Sequence, residues 1–247
     1  MIEVHFRDRL GNNLIQYAAG YALAKKTGMA MFDYSDHPSV KSFYKPLGLT
    51  PVDGNVIRGG ILLQTDSYFK HLSQSKNPGK GCMVSGYFQT GKLLCVYHEL
   101  IRGLYRPSNT GFRPDYRDAF IHCRLGDTII PWKSHLHGVY FNINYITSQL
   151  EQHRGKYDKM YVTSDTIDSP GLQQLIKRYD LTVYQDTPIN TIIFGSKFNN
   201  LFLSAGTFSY WISYLSDAEN ITIYESPADP LQRNKAFTYN EDIKFAV

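Results

Sequence analysis

The residues best suited to chemistry fall in four short stretches, each at the end of an apolar run. Arg124 closes the run Ala119-Phe120-Ile121-His122-Cys123 and is followed by Gly126 and Asp127. Ser204-Ala205-Gly206-Thr207 follows Leu201-Phe202-Leu203 and opens a helical pattern that carries Ser209. An arginine holds a phosphate by two parallel hydrogen bonds and does not lose its charge. A helix N-terminus offers free N–H groups and a partial positive charge to the same ligand. Arg124 with the Ser204-Ala205-Gly206-Thr207 turn therefore predicts an anion site that works without a metal. Asp165 follows the strand-like 159–163. It is acceptor-only, so it cannot help a phosphate but suits the ring N–H and exocyclic amine of a purine such as guanine. His122, inside its strand end, can donate and accept. Arg7, Asp8, Arg9 and Gly11 follow the first strand, at another helix start.

Each of these has a plainer reading. Arg124 and Asp127 can form a structural ion pair, and His122 can be a satisfied core residue. Ser204 and Thr207 can be helix caps, and Asp165 a turn residue. Tyr210 and Trp211, at helical positions, read as core.

The elements that must position these residues follow from periodicity. Residues 3–6 read as a strand, a turn follows at Leu10-Gly11, and Asn12 or Asn13 can cap a helix with Leu14, Ala18, Tyr21 and Ala22 on one face. Lys25 and Lys26 suit its C-terminus and Gly28 the residue beyond. Residues 29–32 and 82–88 read as strands and 91–104 as a helix; residues 37–80 carry no clear assignment. Residues 106–111 have linker chemistry. The second half alternates strands at 119–124, 159–163, 181–185, 201–204 and 220–224 with helices at 142–153, from 170 to about 179, from 188 to about 198, and at 207–216. Pro170 and Pro188, each after a capping residue, suit first helical turns. Such alternation implies a doubly wound parallel sheet, whose ligands lie beyond the carboxyl ends of the strands.

The bulk numbers bound the class. The 247 residues, 43% hydrophobic and 19% charged, are enough for one large α/β domain or two small ones. A net charge of +4 without a basic stripe suits an anionic small ligand and excludes nucleic-acid binding. Three irregularly spaced cysteines, Cys82, Cys95 and Cys123, predict neither a disulfide framework nor a zinc site. No apolar stretch approaches the ~20 residues of a transmembrane helix, and no signal peptide is recognisable, so a cytoplasmic location is expected. Asn220-Ile221-Thr222 matches a glycosylation acceptor but falls in a predicted strand. There is no Gly-x-Gly-x-x-Gly, no Gly-Lys-Ser/Thr and no serine nucleophile elbow.

Five segments then stand in a recognisable order. Arg9-Leu10-Gly11-Asn12-Asn13-Leu14-Ile15-Gln16-Tyr17-Ala18 resembles the opening Gly-Leu-Gly-Asn-Gln-x-x-Gln-Tyr-Ala of the α-1,2-fucosyltransferase family. Ser85-Gly86-Tyr87-Phe88-Gln89-Thr90-Gly91-Lys92 resembles its Gly-Tyr-Phe-Gln-Ser-x-Lys segment. His122-Cys123-Arg124-Leu125-Gly126-Asp127 resembles His-x-Arg-Arg-Gly-Asp, shared more loosely with α-1,6- and protein O-fucosyltransferases. Thr163-Ser164-Asp165 resembles Phe-Ser-Asp, and Ser204-Ala205-Gly206-Thr207-Phe208-Ser209-Tyr210-Trp211 resembles Asn-Ser-Ser-Phe-Ser-Trp-Trp.

The resemblance implies an α/β, GT-B-like fold: two Rossmann-like halves, 1–110 on the acceptor side and 111–247 on the nucleotide-sugar side, with a central cleft. It implies inverting transfer of fucose from GDP-β-L-fucose to a glycan acceptor, most simply galactose O2, with no cofactor and no metal. Arg124 would bind the β-phosphate, Asp165 and His122 the guanine or its surroundings, and Ser204, Thr207 and Ser209 the diphosphate. Arg9, Gly11 and Asn12 would face donor and acceptor. Asp127 is the first candidate for the general base and Asp8 the second. Leu125 stands where the family has a second arginine, and Asp8-Arg9 where many members have Gly-Gly. A different nucleotide sugar, or an inert glycan- or nucleotide-binding module, are the rival readings.

Overall fold

The computed structural model describes residues 1–33, 38–47, 49, 60–64, 67–68, 70, 81–88, 93, 97–105, 111–126, 143–204, 206–224 and 243–246. Asp127, Cys95, Ala205 and residues 106–110 of the 106–111 stretch read as a linker lie outside the described residues. The chain divides into two compact units, Met1–Ser108 and Asn109–Val247.

The first unit contains β1 (Ile2–His5), α1 (Leu10–Thr27), β2 (Met31–Asp33), α2 (Pro38–Phe43), β3 (Ile61–Leu63), β4 (Cys82–Ser85) and α3 (His98–Leu104). Its four strands lie in the order β2-β1-β4-β3, all parallel. The unassigned 37–80 stretch thus supplies α2 and β3. Strand β4 ends at Ser85, short of the predicted 82–88, and Phe88 beyond it has left-handed backbone (φ 49). Helix α1 begins at Leu10, capped at Arg9, so neither Asn12 nor Asn13 is the cap and Leu10-Gly11 is helix rather than turn. The helix ends as its composition demands, with Lys25 and Lys26 in the last turn and Gly28 left-handed at φ 68. It packs closely on β1 at Gly20, where any Cβ would run into the Val4 side chain.

The second unit contains β5 (Ala119–Cys123), α4 (Ile143–Gln152), β6 (Met160–Ser164), α5 (Pro170–Tyr179), β7 (Thr182–Val183), α6 (Pro188–Gly195), β8 (Asn200–Leu203), α7 (Thr207–Leu215), β9 (Asn220–Tyr224) and β10 (Ile243–Ala246). The sheet order is β10-β9-β8-β5-β6-β7, parallel throughout. Strand β10 was not predicted; it pairs with β9 from Ile243 opposite Ile221 to Ala246 opposite Tyr224. The predicted cap at Thr187 forms, its side chain accepting from the Asn190 N–H, whereas Ser169 before Pro170 caps without a side-chain bond.

Alternation along β5 decides what each of its residues can do. Successive strand side chains point to opposite faces. Ala119, Ile121 and Cys123 enter one core with Leu150, Val162, Leu172 and Leu175. Phe120 lies on the other face, against Phe194 and Phe198 of the α6 region at ring distances of 5.9 and 5.5 Å. Gly195 lets this face close, since a Cβ there would meet the Phe120 ring at 2.6 Å. The same parity carries His122 toward α7 and returns Leu125 to the first core.

Candidate functional site

The carboxyl ends of β5, β6 and β8 are neighbours, so Arg124, Asp165 and Ser204 converge by sheet order alone. Arg124 leaves β5 on the α7 side. Its backbone N–H donates to Ser204 Oγ at 3.1 Å. Its guanidinium lies against Gly206, the residue capping α7: a Cβ built on Gly206 would stand 2.7 Å from Arg124 Nη1. Gly206 has φ 114, a backbone that side-chain-bearing residues rarely adopt, so glycine is required there. The guanidinium and the first free N–H groups of α7 thus meet at one point. Two positive features held together by the fold form a ready anion site.

Behind this point stands a buried polar network. His122 Nδ1 and Ser209 Oγ share a 2.6 Å hydrogen bond, and Ser204 Oγ lies 3.3 Å from the same nitrogen and 3.4 Å from Ser209 Oγ. All three side chains are buried. Ser204 and Ser209 therefore face inward, tying β8 and α7 to His122, while half-buried Thr207 stands at the first position of α7. The Phe208 ring covers the imidazole at 4.9 Å. Burial pushes the His122 imidazole down to about 4, with Arg124 adding to the effect and Asp165 opposing it. His122 is consequently neutral at physiological pH and its network is one of hydrogen bonds, not of charge.

This gives a first prediction. The unfolded chain would take a proton on His122 near pH 6.5 and the folded chain only near 4, so His122 adds stability above pH 6.5 that is lost as pH falls toward 4. At about 1.36 kcal/mol per pH unit the loss is about 3 kcal/mol. Urea unfolding between pH 7 and 4 should show this slope, and His122→Gln should flatten it; an equally steep His122→Gln profile would refute the assignment.

Asp165 is exposed and works on the backbone. Its Oδ1 accepts from the Leu125 N–H at 2.7 Å and from the Gly126 N–H at 2.8 Å. A Cβ on Gly126 would strike Oδ2 at 2.5 Å, so this glycine lets the carboxylate close on the loop. The carboxylate thereby sets the path of the chain out of Arg124. Asp165→Ala should hand those amides to water and cost about 0.5–1.5 kcal/mol of stability, with Asp165→Asn recovering part through its amide oxygen. Thermal unfolding of the two variants measures this; equal stability of the Ala variant and the parent would remove the clamp.

Leu125 explains the departure from the two-arginine pattern. Its side chain is buried among Cys123, Tyr145 and Ile146. Residue 125 points away from Arg124 by strand parity, and its surroundings offer an apolar side chain a good fit and a guanidinium none.

The first unit has its own polar loop at the carboxyl ends of β1 and β4. Arg9 caps α1 from an exposed position, Gly11 is buried in the first turn and Asn12 is half-buried beside it. Asn13, read above as a candidate cap, and Gln16, quoted only as likeness, turn out to shape this loop. Gln16 Oε1 accepts from the Arg7 N–H at 2.9 Å, Gln16 Nε2 donates to the Gly86 carbonyl at 3.1 Å, and Asn13 Nδ2 donates to the Arg7 carbonyl at 2.9 Å. The Tyr87 hydroxyl donates to the Asp8 carboxylate, which holds that phenol above its usual range, with Arg7 pulling the other way. No helix of the described residues is long and apolar enough to cross a membrane.

Comparison with known proteins bears on the family and the fold. Residues 95–244 match the model of glycosyl transferase family 11. No curated protein matches the sequence. Among solved structures, the fucosyltransferase NodZ from Bradyrhizobium is similar at a TM-score of 0.56 and 10% identity, over 87% of this chain and 92% of that one. The NodZ α-1,6-fucosyltransferase co-crystallized with GDP is similar at a TM-score of 0.56 and 11% identity, over the same shares, 87% and 92%. The fold is α/β with parallel sheets in both units, GT-B-like as in these structures.

Proposed function

The chain belongs to glycosyl transferase family 11, and on that premise we propose that it transfers L-fucose from GDP-β-L-fucose to a sugar hydroxyl, O2 of galactose, with inversion. The observation that carries the reading is the meeting of the Arg124 guanidinium with the N-terminus of α7 at Gly206. The names of the two NodZ structures, fucosyltransferases of which one was crystallized with GDP, support the donor.

In this reading the acceptor oxygen attacks the anomeric carbon while the bond from that carbon to the β-phosphate oxygen breaks. The electron pair leaves with GDP, and the acceptor's proton passes to a carboxylate, which we assign to Asp127. Charge grows on the departing diphosphate, and Arg124 with the N–H groups at Thr207 lies ready for it. Preorganised donors of this kind lower a barrier because they need not reorient as the charge appears. Ser204, Ser209 and His122 hold that arrangement from behind. Arg124 and α7 take the part a divalent cation plays elsewhere, so chelation with EDTA should leave turnover unchanged.

The test is a donor panel. Thermal shift and donor turnover with GDP-fucose, GDP-mannose and UDP-sugars should single out GDP-fucose. Preference for another nucleotide sugar would replace the donor in this proposal. Binding of GDP with no turnover on a broad panel of acceptors would replace the enzyme with a binding module.

A further inference from the structure

Three non-glycine residues among those described adopt left-handed backbone: Asp8 (φ 65), Phe88 (φ 49) and Asp180 (φ 51). Asp180 ends α5, where this conformation is ordinary. The other two lie at one end of the first sheet, because β1 and β4 run side by side to the pair His5–Ser85 and then enter the loops that hold Asp8 and Phe88. Such backbone costs free energy and persists where the surroundings over-determine it. Here they do. Asn13 and Gln16, both buried, grip the Asp8 loop from below and tie it to Gly86. Phe88 is wholly buried against Tyr68, with ring centroids 4.9 Å apart.

What this strained scaffold presents outward is polar and aromatic. Asp8 is exposed, and Tyr87 is 49% exposed although Phe88 next to it is fully buried. The Tyr87 hydroxyl is anchored on the Asp8 carboxylate. An aromatic ring held by its polar tip loses little further freedom when a ligand stacks on it. A pyranose has the matching chemistry: an apolar C–H face for the ring and a rim of hydroxyl donors for a carboxylate, which can only accept.

We propose that Tyr87 and Asp8 form a sugar-binding site on the first unit, the Tyr87 ring lying on the C–H face of a neutral hexose and the Asp8 carboxylate accepting from one of its hydroxyls. Its role as the acceptor site rests on the fucosyltransferase reading; the binding itself does not. Asp8 holds a φ of 65, a left-handed backbone that glycine adopts most freely. An aspartate there keeps the conformation and adds the acceptor oxygens.

The experiment is saturation-transfer NMR on the full chain, without nucleotide, using the methyl β-glycosides of galactose, glucose and N-acetylglucosamine, with GDP binding measured by calorimetry on the same samples. At least one glycoside should bind. Tyr87→Ala and Asp8→Asn should each weaken it about tenfold, the scale of one lost stacking or hydrogen-bonding contact. Tyr87→Phe, which keeps the ring, should stay within about threefold, a change of under 1 kcal/mol. GDP affinity should not change in any variant, which also shows that they are folded. Glycoside binding by Tyr87→Ala and Asp8→Asn equal to the parent's would overturn the site, as would no glycoside binding to the parent. Glycoside binding with no GDP binding would uphold the site while sinking the donor reading.

Discussion

Arg124→Ala is expected to reduce turnover of GDP-fucose by roughly 10²–10³-fold, the usual loss of about 2.7–4 kcal/mol when one preorganised donor to a developing negative charge is removed. The Arg124 guanidinium lies against the capping residue of α7, so it and the helix N-terminus act on the same small volume. Neither of its described neighbours can replace it: Leu125 is buried in the core and His122 is neutral. Arg124→Lys should recover only part of the loss, because an ammonium is a point charge without the planar fork that matches two phosphate oxygens. Steady-state kinetics decide this. If the arginine acts mainly on the leaving group, kcat falls more than GDP affinity, which is read separately by calorimetry. An alanine variant with near-parental kcat would end the role assigned to Arg124.

Gly206→Ala is the second large effect. The methyl group would arrive 2.7 Å from Arg124 Nη1, on a backbone at φ 114 that alanine resists. One or the other must move, and the guanidinium is the end of a flexible side chain while the backbone is held between β8 and α7. The expected outcome is a loss of stability of about 1–3 kcal/mol from the backbone strain, and a fall in kcat that approaches that of Arg124→Ala. Because the damage would pass through Arg124, the double variant should be no slower than Arg124→Ala alone. Fully additive losses would mean that Gly206 acts on the reaction by another route. The two readouts separate: strain appears in unfolding, displacement of the guanidinium in turnover.

These predictions come from positions the sequence marks with unequal clarity. The strands and helices of the second unit are legible because each is a short apolar run or a 3.6-residue pattern closed by a cap, a proline or a glycine, and the rule that ligands sit beyond parallel strands then selects Arg124, Asp165 and Ser204. Strand β10 is not legible from the residues before it, because its partner β9 is adjacent only in space. Helix α1 shows how local rules compete: Asn12 and Asn13 are good caps by type, yet the helix starts at Leu10, since Asn13 is better used donating to the Arg7 carbonyl.

What the sequence by itself determined is the class of the protein and the inventory of its site: parallel α/β units, a guanidinium at a strand end, and small hydroxyl residues at a helix start. Local periodicity and residue chemistry carry that much, because both act over a few neighbours. Tertiary structure alone decided which way each side chain faces. It turned Ser204 and Ser209 inward onto His122, set Asp165 to clamp the amides after Arg124, sent Leu125 into the core, and brought Gly206 against the guanidinium. Those outcomes depend on strand parity, sheet order and close packing between residues 40 to 90 positions apart, distances over which a sequence pattern holds no record of direction.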